Sequence, residues 1–483
     1  MKKGSFLLAF ISTLFLWNCE ITSVKAESAN NVQPVKVSQA DSHYFESVDG
    51  SAWIPVMINY LPPNFKNSEG RNNTEFTLIE DYFKQFSDNG GNAMRIWIST
   101  PFLEIEDNTE GQYNSLKFQR IDRLLELAKK YNIRILFTLH HIRQITSNNT
   151  NWDNNRSLAT AFSSIEEYMN TPKGRDSYLR RAKAIADRYK DNQQIFGWEL
   201  WNEVNAASCT NWGDFTTVVL DQIQLLFPNQ LVTQSLGSLD SYSANDAYRQ
   251  LFTYKSNAFV SVHRYAMDSD PALQYYSSIK GAIDTLVSGG INFARQYIND
   301  RPILMEEIGA VTANYGAPSK YYANDKQGVL IHDMIFAPFF CGAAGSGAMW
   351  HWDHYIYPNK LWYHFKRFNN AIQGIDPVKE QMKPFTATID GVRCFGLKGN
   401  DKTIVWCRDA ANNWRTELED GIPALPKTNW SFETNQMISG NFSSVRFYDP
   451  WTDVWSDGVI TNGTLSAPSF TRSIVIVLMK KHF

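Results

Sequence analysis

The amino-acid sequence predicts an α/β protein in which a (β/α)₈ TIM barrel is followed by a small antiparallel β-sandwich domain. Three observations lead to this prediction. Short strand-like runs alternate with amphipathic helical stretches over residues 44–375, eight such runs are present, and the helical period disappears after Asp376-Pro377. Eight βα units suit a closed barrel better than an open doubly wound sheet. The glycine-rich phosphate loop of dinucleotide-binding folds is also missing after the first run, which weakens that alternative.

The eight predicted strands are short runs rich in β-branched or aromatic residues. They are residues 54–60, 93–98, 134–140, 196–202, 231–236, 259–265, 302–309 and 348–352. Between them, apolar residues recur at helical spacing, as at Ile121, Leu124 and Ala128, which places one apolar face on a helix. The Asn-Gly-Gly sequence at residues 89–91 predicts a helix end before the second strand.

The C-terminal region changes to short alternating strands separated by Gly, Asn, Asp and Pro, which is typical of a small sandwich. If Asn400 and Asp401 form a two-residue turn, Cys394 faces Cys407 across a hairpin. Either a cross-strand disulfide or two buried free thiols is then expected.

Three aromatic residues in this region, Tyr448, Trp451 and Trp455, lie close together in the sequence. They allow two interpretations, a platform that binds carbohydrate or a surface that packs against the first domain. The Tyr448-Asp449-Pro450 sequence favours packing, because it is typical of a strand end with its turn.

Charge and composition narrow the range of partners. The 483 residues include 46 Lys and Arg against 49 Asp and Glu, a net charge of −3. No strong field of either sign is therefore available to attract nucleic acid or an anionic membrane surface. Aromatic residues make up 14% of the chain and include 15 Trp, which supplies flat surfaces for packing or for stacking a neutral ligand.

The N-terminus has the pattern of an export signal, with Lys2-Lys3, a mostly apolar run over residues 6–17 and then polar sequence. Two processing sites are open, one after Ala26 and one before Cys19, where a lipid anchor would be attached. The mature protein would be secreted or periplasmic, or an outer-membrane lipoprotein. No later run is long enough to predict a transmembrane segment. The expected domains are a signal peptide over 1–26, a tether over 27–43, the barrel over 44–375 and the sandwich over 376–483.

Polar residues concentrate at the C-terminal ends of the predicted strands, where a barrel places its reactive groups. Each has an ordinary structural explanation, since a strand-end His is usually hydrogen-bonded within the protein and a barrel Trp is usually packing. Their coincidence at one end of the barrel points to a functional site. They are Arg95, His140, His141, Asn202, Glu203, His263, Tyr265, Glu306, Glu307 and Trp350.

Two segments resemble the catalytic motifs of retaining glycoside hydrolases of clan A, especially family 5. The Phe-Gly-Trp-Glu-Leu-Trp-Asn-Glu sequence of residues 196–203 is similar to the Asn-Glu motif of strand four. The Leu-Met-Glu-Glu-Ile-Gly sequence of residues 304–309 is similar to the Glu-aromatic-Gly motif of strand seven, with Ile308 in the aromatic position. The resemblance keeps strand order over residues 50–355, and the C-terminal region looks like the accessory β-domain that often follows such barrels. Its other matches are Arg95, the His140-His141 pair, His263-Arg264-Tyr265 and Trp350.

This resemblance implies a glycosidase that uses no cofactor and no metal and whose partner is a carbohydrate. One carboxylic acid protonates the leaving oxygen, and an ionised carboxylate about 5 to 5.5 Å away attacks the anomeric carbon. The resemblance assigns Glu203 as the acid/base and Glu307 as the nucleophile. The negative charge of its partner is expected to raise the pKa of Glu203.

The resemblance also assigns supporting roles. Arg95 would keep Glu307 charged, and Tyr265 would donate a hydrogen bond to it. Asn202 would bind the sugar 2-hydroxyl. Histidines would donate to sugar hydroxyls, with one of the adjacent pair structural, and a tryptophan would stack on the sugar. The residues expected to bind substrate are Arg95, His140, His141, Asn202, His263, Tyr265 and Trp350.

Strand geometry leaves one assignment open. Successive side chains on a strand point to opposite faces, so only one of Glu306 and Glu307 is expected to face the interior. The Glu-x-Gly pattern favours Glu307, with Glu306 turned to a neighbouring salt bridge or loop contact. For the same reason, Asn202 and Glu203 both reach the site only if the strand ends or bulges there.

The sequence predicts an endo-acting hydrolase of a mannan- or glucan-type polysaccharide. One alternative is an exo-acting β-glycosidase, with the cleft closed by segments such as 146–173 and 353–359. Another is a carbohydrate-binding protein without catalysis, against which the presence of both carboxylates argues. A metal site at His351, Asp353 and His354 is not expected, because close spacing on one loop without further carboxylates is weak evidence.

Overall fold

The structure is a computed structural model that describes residues 34–61, 70–146, 149–150, 156–268, 279–312 and 316–480. The predicted signal peptide, Cys19 and both processing sites lie outside these residues. Within the described ranges, no helix has the length and apolar character that crossing a bilayer requires.

A small antiparallel sheet precedes the first βα unit. In it β1 (Val35–Val37) pairs with β2 (Phe45–Ser47), which pairs with β3 (Ala52–Trp53). Phe45 is buried against Phe259, with ring centroids 5.6 Å apart. The predicted tether is therefore wrong for β1, because the valines of this polar segment pair into a sheet and pack against the strands.

Parallel strands form the centre of the molecule. Five pair in the order β10-β9-β6-β5-β4, and β11 pairs with β12. A short hairpin follows β6 in the chain and consists of β7 (Ile145–Thr146) and β8 (Asn149–Thr150). The parallel strands are β4 (Met57–Asn59), β5 (Ala93–Trp97), β6 (Arg134–His140), β9 (Ile195–Trp201), β10 (Leu231–Thr233), β11 (Val260–Met267) and β12 (Ile303–Val311).

Seven of the eight predicted runs thus contain a strand. The eighth, residues 348–352, is corrected by the structure: Met349 alone pairs there, in parallel bridges to Ile58 and to Ile308. The pairing is short because the chain turns away into a π-helical turn at Trp352–Ile356.

Helices separate the parallel strands. In α2 the Asn114 side chain accepts a hydrogen bond from the Leu116 backbone N–H, which caps the helix. Ile121, Leu124 and Ala128 are all buried, which confirms the predicted apolar face. The helices are α1 (Phe76–Asp88), α2 (Ser115–Lys130), α3 (Arg156–Ala161), α4 (Ile165–Asn170), α5 (Pro172–Tyr189), α6 (Trp212–Leu226), α7 (Tyr242–Phe252), α8 (Ile283–Arg295), α9 (Val329–Phe340) and α10 (Tyr363–Ala371).

The C-terminal region is built around a six-stranded antiparallel sheet in the order β13-β14-β15-β23-β18-β19. Two smaller sheets, β17-β21-β20 and β16-β22, accompany it, together with the short helix α11 (Thr434–Met437). The strands are β13 (Lys383–Ile389), β14 (Val392–Lys398), β15 (Lys402–Asp409), β16 (Pro426–Lys427), β17 (Ser431–Glu433), β18 (Phe442–Asp449), β19 (Val454–Gly458), β20 (Ile460–Thr461), β21 (Thr464–Ser466), β22 (Phe470–Thr471) and β23 (Ser473–Lys480).

The β14–β15 hairpin has the predicted register, with Cys394 opposite Cys407. Both cysteines are buried free thiols. Of the two expected alternatives, the structure therefore has the thiol pair.

Helix α9 joins the parallel strands to the C-terminal sheet, and every one of its residues is buried. Arg408 of β15 donates from Nε to Asp333 of α9 at 3.0 Å. The Trp451 ring lies 4.5 Å from the His332 ring of the same helix. Tyr448 is fully buried in the core that both regions share, so the packing interpretation of the aromatic cluster is confirmed.

Candidate active site

Glu203 lies immediately beyond the end of β9. The strand ends at Trp201, and both Asn202 and Glu203 line a cavity. Glu203 has a left-handed backbone conformation, with φ 50° and ψ 54°. A regular strand would turn one of these consecutive side chains away from the cavity. The expectation that the strand ends here is confirmed.

A β-bulge brings both neighbouring glutamates of β12 into the site. The register between β11 and β12 shifts, so that Val262 pairs with Met305 but His263 pairs with Glu307. Glu306 is the extra residue of the bulge. Glu307 lines the cavity, while Glu306 is fully buried behind it. Glu307 therefore faces the cavity, and Glu306 is turned to ion pairs with Arg95 and His263, as expected. The regular alternation behind that expectation is broken by the bulge, which leaves both glutamates next to the same buried cluster.

Arg95 of β5 organises the buried side of the site. It is fully buried and lies outside the cavity lining. Its Nη1 donates to Glu307 Oε2 and to Asn59 Oδ1, both at 2.9 Å. Its Nη2 donates to Glu199 Oε1 at 2.9 Å and to Asn202 Oδ1 at 2.6 Å. The contact with Glu307 is the one that the resemblance implies for Arg95. Its grouping with the residues that bind sugar is not supported, because the side chain lies outside the cavity lining.

His263 of β11 lies between three glutamates. Its Nδ1 is 3.1 Å from Glu203 Oε1 and 3.7 Å from Glu307 Oε2. Its Nε2 is 3.2 Å from Glu306 Oε2. The ring is fully buried and lies outside the cavity lining, which contradicts the predicted contact with sugar hydroxyls. Burial lowers the pKa of His263, but the charge of Glu307 and the hydrogen bonds to Glu203 and Glu306 outweigh burial and raise it to about 10.

The two candidate catalytic carboxylates lie close together. One oxygen of Glu203 and one of Glu307 are within 4.8 Å of each other. Tyr265, which lines the cavity, donates from Oη to Glu307 Oε1 at 2.5 Å, as predicted. Arg143 forms an ion pair with Glu203 on the cavity side.

The pKa values of the pair shift in opposite directions. Burial raises the pKa of Glu203, but the hydrogen bond and charge of His263, with the charge of Arg143, hold it below its usual value. Burial raises the pKa of Glu307; the charge of His263 opposes this, the charge of Glu203 adds to it, and the net direction is upward. The predicted rise in the pKa of Glu203 is therefore wrong, because the contacts with His263 and Arg143 outweigh the effect of burial.

The cavity has a volume of about 1090 Å³, and aromatic rings form part of its walls. Trp350 lines it, as predicted, 5.1 Å from the Trp97 ring, and His141 stacks on Trp97 at 4.6 Å. His140 does not line the cavity. It is fully buried, and its Nε2 is 3.0 Å from the Tyr168 hydroxyl. This contradicts its predicted sugar contact and makes His140 the structural member of the pair.

Three residues of the site are not among those predicted from the sequence. Glu199 is fully buried and accepts hydrogen bonds from Arg95, and a charge inside the apolar run of strand four is a signal that would have found it. Asn59 donates from Nδ2 to the Glu306 backbone carbonyl at 3.0 Å. Arg143 follows the end of strand three, and nothing in its sequence neighbourhood marks it.

Among the described residues, Glu203, His263 and Glu307 are the group whose donor atoms have the spacing of a cation site. His263 lies within hydrogen-bonding distance of Glu203, so contacts within the protein also account for the close spacing of this group. His351 instead lies 3.0 Å from the Tyr322 hydroxyl, while His354 pairs with Asp353 at 2.8 Å.

Most of the parallel-strand region matches a single known protein family. Residues 58–332, more than half of the chain, match the family described as Cellulase (glycosyl hydrolase family 5). A solved glycoside hydrolase family 5 structure from Bacteroides vulgatus superimposes with a TM-score of 0.62 at 12% identity, covering 93% of this chain and 94% of that one. This likeness concerns the fold.

Two further relatives are similar over shorter stretches. The chain is 25% identical to mannan endo-1,4-beta-mannosidase F of Aspergillus clavatus over 204 residues, which are 38% of this chain and 40% of the relative. It is 22% identical to endoglucanase C of Acetivibrio thermocellus over 213 residues, 42% of this chain and 57% of the relative. The chain thus spans under two thirds of the length of either relative.

Proposed function

Because the chain belongs to glycosyl hydrolase family 5, we propose that it is a retaining glycoside hydrolase that cleaves within β-linked polysaccharides of mannan or glucan type. The observation that carries the proposal is the approach of a Glu203 oxygen to within 4.8 Å of a Glu307 oxygen. Retaining enzymes hold their carboxyl groups about 5 to 5.5 Å apart, whereas inverting enzymes leave room for a water molecule between them.

In the first step Glu307 attacks the anomeric carbon. A bond forms between that carbon and a Glu307 oxygen, the glycosidic C–O bond breaks, and Glu203 gives its proton to the leaving oxygen. In the second step Glu203 takes a proton from water, which displaces Glu307 and regenerates both carboxyl groups. Arg95 and Tyr265 hold Glu307 in position for attack.

The lowered pKa of Glu203 is compatible with this role if substrate changes its surroundings. Arg143 has 29% of its side chain exposed and is the cation of the site that borders the cavity. A leaving group that enters beside Glu203 separates Arg143 from it and removes one cause of the low pKa. Glu203 then holds its proton at higher pH.

The cavity residues supply the sugar contacts. Asn202 borders the cavity next to Glu203 and is proposed to bind the sugar 2-hydroxyl. Trp350 offers a ring face for the apolar side of a pyranose and is backed by the buried Trp97 ring, while His141 offers a polar ring edge. The mannanase and endoglucanase relatives support a mannan- or glucan-type substrate.

We also propose that the parallel strands close into a (β/α)₈ barrel over residues 44–375, with a sandwich domain over 376–483. The bridges from Met349 to Ile58 and Ile308 support closure on one side. The hydrogen bond from the Ala258 N–H to the Val232 carbonyl, at 2.9 Å, supports it between β10 and β11. The N-terminal sequence pattern supports export of the protein.

The test is incubation of the purified protein with a panel of mannans, glucans and nitrophenyl glycosides. Mixed oligosaccharides from one polysaccharide are expected, whereas release of a single short product would indicate exo action. Glu203→Gln and Glu307→Gln are each expected to abolish hydrolysis, and azide is expected to rescue Glu307→Ala as a glycosyl azide of inverted configuration. Full activity in both glutamine variants would overturn the assignment.

A further inference from the structure

We propose that Glu306 is a positioning residue for this reaction, which acts by anchoring the His263 imidazole that contacts the acid/base Glu203. The inference rests on the proposed function, in which Glu203 is the acid/base. Glu306 does not line the cavity, so its effect on substrate passes through His263.

The three side chains form one line of hydrogen bonds. Glu203 Oε1 is 3.1 Å from His263 Nδ1, and the opposite ring nitrogen, Nε2, is 3.2 Å from Glu306 Oε2. His263 and Glu306 are both fully buried. Both ring nitrogens therefore face a carboxylate oxygen, an arrangement that favours an N–H on each of them.

The bulge in β12 is what makes this line possible. In a regular strand, Glu306 would point away from the neighbour that Glu307 faces. Asn59 fixes the bulge, because its Nδ2 donates to the Glu306 carbonyl at 3.0 Å and to the Ala348 carbonyl at 3.1 Å. The backbone is thus held so that both carboxylates reach the same cluster.

Arg95 is the other cation near Glu306, but the contact is longer. Arg95 Nε lies 3.7 Å from Glu306 Oε2, and the guanidinium already donates to Glu199, Asn59, Asn202 and Glu307. Glu306 interacts with Arg95 through charge and with His263 through both charge and a hydrogen bond. Removal of the Glu306 charge should therefore affect both cations, and the hydrogen bond makes His263 the one that it anchors.

Charges around His263 set how firmly it holds its proton. The Tyr248 hydroxyl accepts a hydrogen bond from the His263 backbone N–H at 3.3 Å. Negative groups outnumber positive ones in this environment, which favours the protonated form of His263 beside Glu203. The titratable groups that contact His263 are Glu203, Glu306, Glu307 and Tyr248. Those that contact these glutamates or their partners are Glu199, Arg95, Arg143 and Tyr265.

The first test is the pH dependence of kcat/KM in Glu306→Gln. Glutamine can still accept the hydrogen bond but carries no charge, so the His263–Glu203 pair should lose its proton at lower pH. We expect the basic limb of the profile to move down by about 1 pH unit or more. Glu306→Asp keeps the charge and is expected to keep the limb near its wild-type position while kcat falls.

A matched control separates this effect from loss of a buried carboxylate as such. Glu104 is buried and paired with Arg181, away from His263. Glu104→Gln should lower the melting temperature without moving either limb. An unmoved basic limb in a folded, active Glu306→Gln would overturn the inference and leave the proposed function standing.

The second test uses no substrate. ¹⁵N NMR of the His263 imidazole, assigned by its loss in His263→Asn, reports protonation of both ring nitrogens. In the wild-type protein we expect both ring nitrogens of His263 to stay protonated up to pH 8. In Glu306→Gln we expect the titration midpoint of the ring to lie at a lower pH than in the wild type. A neutral wild-type ring at pH 7 would overturn the inference whether or not the protein hydrolyses polysaccharide, whereas an inactive wild type with a protonated ring would overturn the proposed function alone.

Discussion

The Tyr265 hydroxyl donates a 2.5 Å hydrogen bond to Glu307 Oε1, while Arg95 Nη1 binds the other oxygen of the same carboxylate at 2.9 Å. Tyr265, on β11, binds the carboxylate from the cavity side, and Arg95, on β5, binds it from the buried side. Rotation of the Glu307 carboxylate would break one or both bonds, so its orientation is fixed before substrate enters.

Tyr265→Phe removes one of these donors without changing the shape of the ring. Hydrogen bonds to charged groups contribute about 1.5 to 3 kcal/mol, so kcat/KM should fall about 10- to 100-fold. Steady-state kinetics on a soluble polysaccharide measures the effect. Tyr131→Phe, which removes a hydroxyl bonded to Glu80 outside the cavity, serves as the control, and equal losses in both variants would contradict the prediction.

Arg143→Gln should change the pH profile in the direction opposite to Glu306→Gln. Loss of the Arg143 charge raises the pKa of Glu203, because a cation that favours the carboxylate is gone. Glu203 stops donating when the pH rises through its pKa, so the basic limb of kcat/KM should move to higher pH.

The pH dependence of kcat/KM is measured in Arg143→Gln and in the control Arg123→Gln. Arg123 is half exposed and pairs with Glu126 on the surface, so the control should keep the wild-type profile. A basic limb that moves to lower pH in Arg143→Gln would show that Arg143 does not hold down the pKa of Glu203.

Arg408→Met should destabilise the protein strongly. Arg408 is buried with Asp333, and removing one partner of a buried pair costs about 3 to 5 kcal/mol because the other charge is left uncompensated. Thermal and urea unfolding measure the loss. Arg446→Met breaks the exposed pair with Asp457 and should change the free energy of unfolding by less than about 1 kcal/mol; similar losses in the two variants would refute the prediction.

The thiols of Cys394 and Cys407 should be protected in the folded protein. Both side chains are buried, and burial raises the pKa of Cys407 well above its usual value, so the reactive thiolate is scarce. Iodoacetamide should leave both unmodified under native conditions and alkylate both after denaturation without reductant. Mass spectrometry distinguishes these states, and a pair that resists alkylation after denaturation would be a disulfide.

The sequence predicts the strands that carry the site more accurately than it predicts which side chains line the cavity. Hydrophobic runs identified seven parallel strands, and the motif resemblance selected Glu203 and Glu307, whose carboxylates lie together. Periodicity assumes a regular strand, so it could not reveal the bulge that turns Glu306 inward.

The sequence also predicts sugar contacts for His140 and His263, and both side chains lie outside the cavity lining. Arg95 contacts Glu307 as the resemblance implies, but it too lies outside the lining. A residue at a strand end can face the cavity, the space behind the carboxylates or a neighbouring helix, and sequence position does not distinguish these three. Arg143 was missed because its importance comes from the ion pair with Glu203, which depends on how two separate loops fold.

Helix α9 has no exposed face: the parallel strands cover one side of it and the C-terminal sheet covers another. The sequence pattern therefore changes near residue 376, but the hydrophobic core continues from the parallel strands into the C-terminal sheet. A fragment that ended there would leave the apolar helix α9 exposed to water on the side that the C-terminal sheet covers, and we expect such a fragment to aggregate. The C-terminal sheet is therefore part of what keeps the whole chain folded.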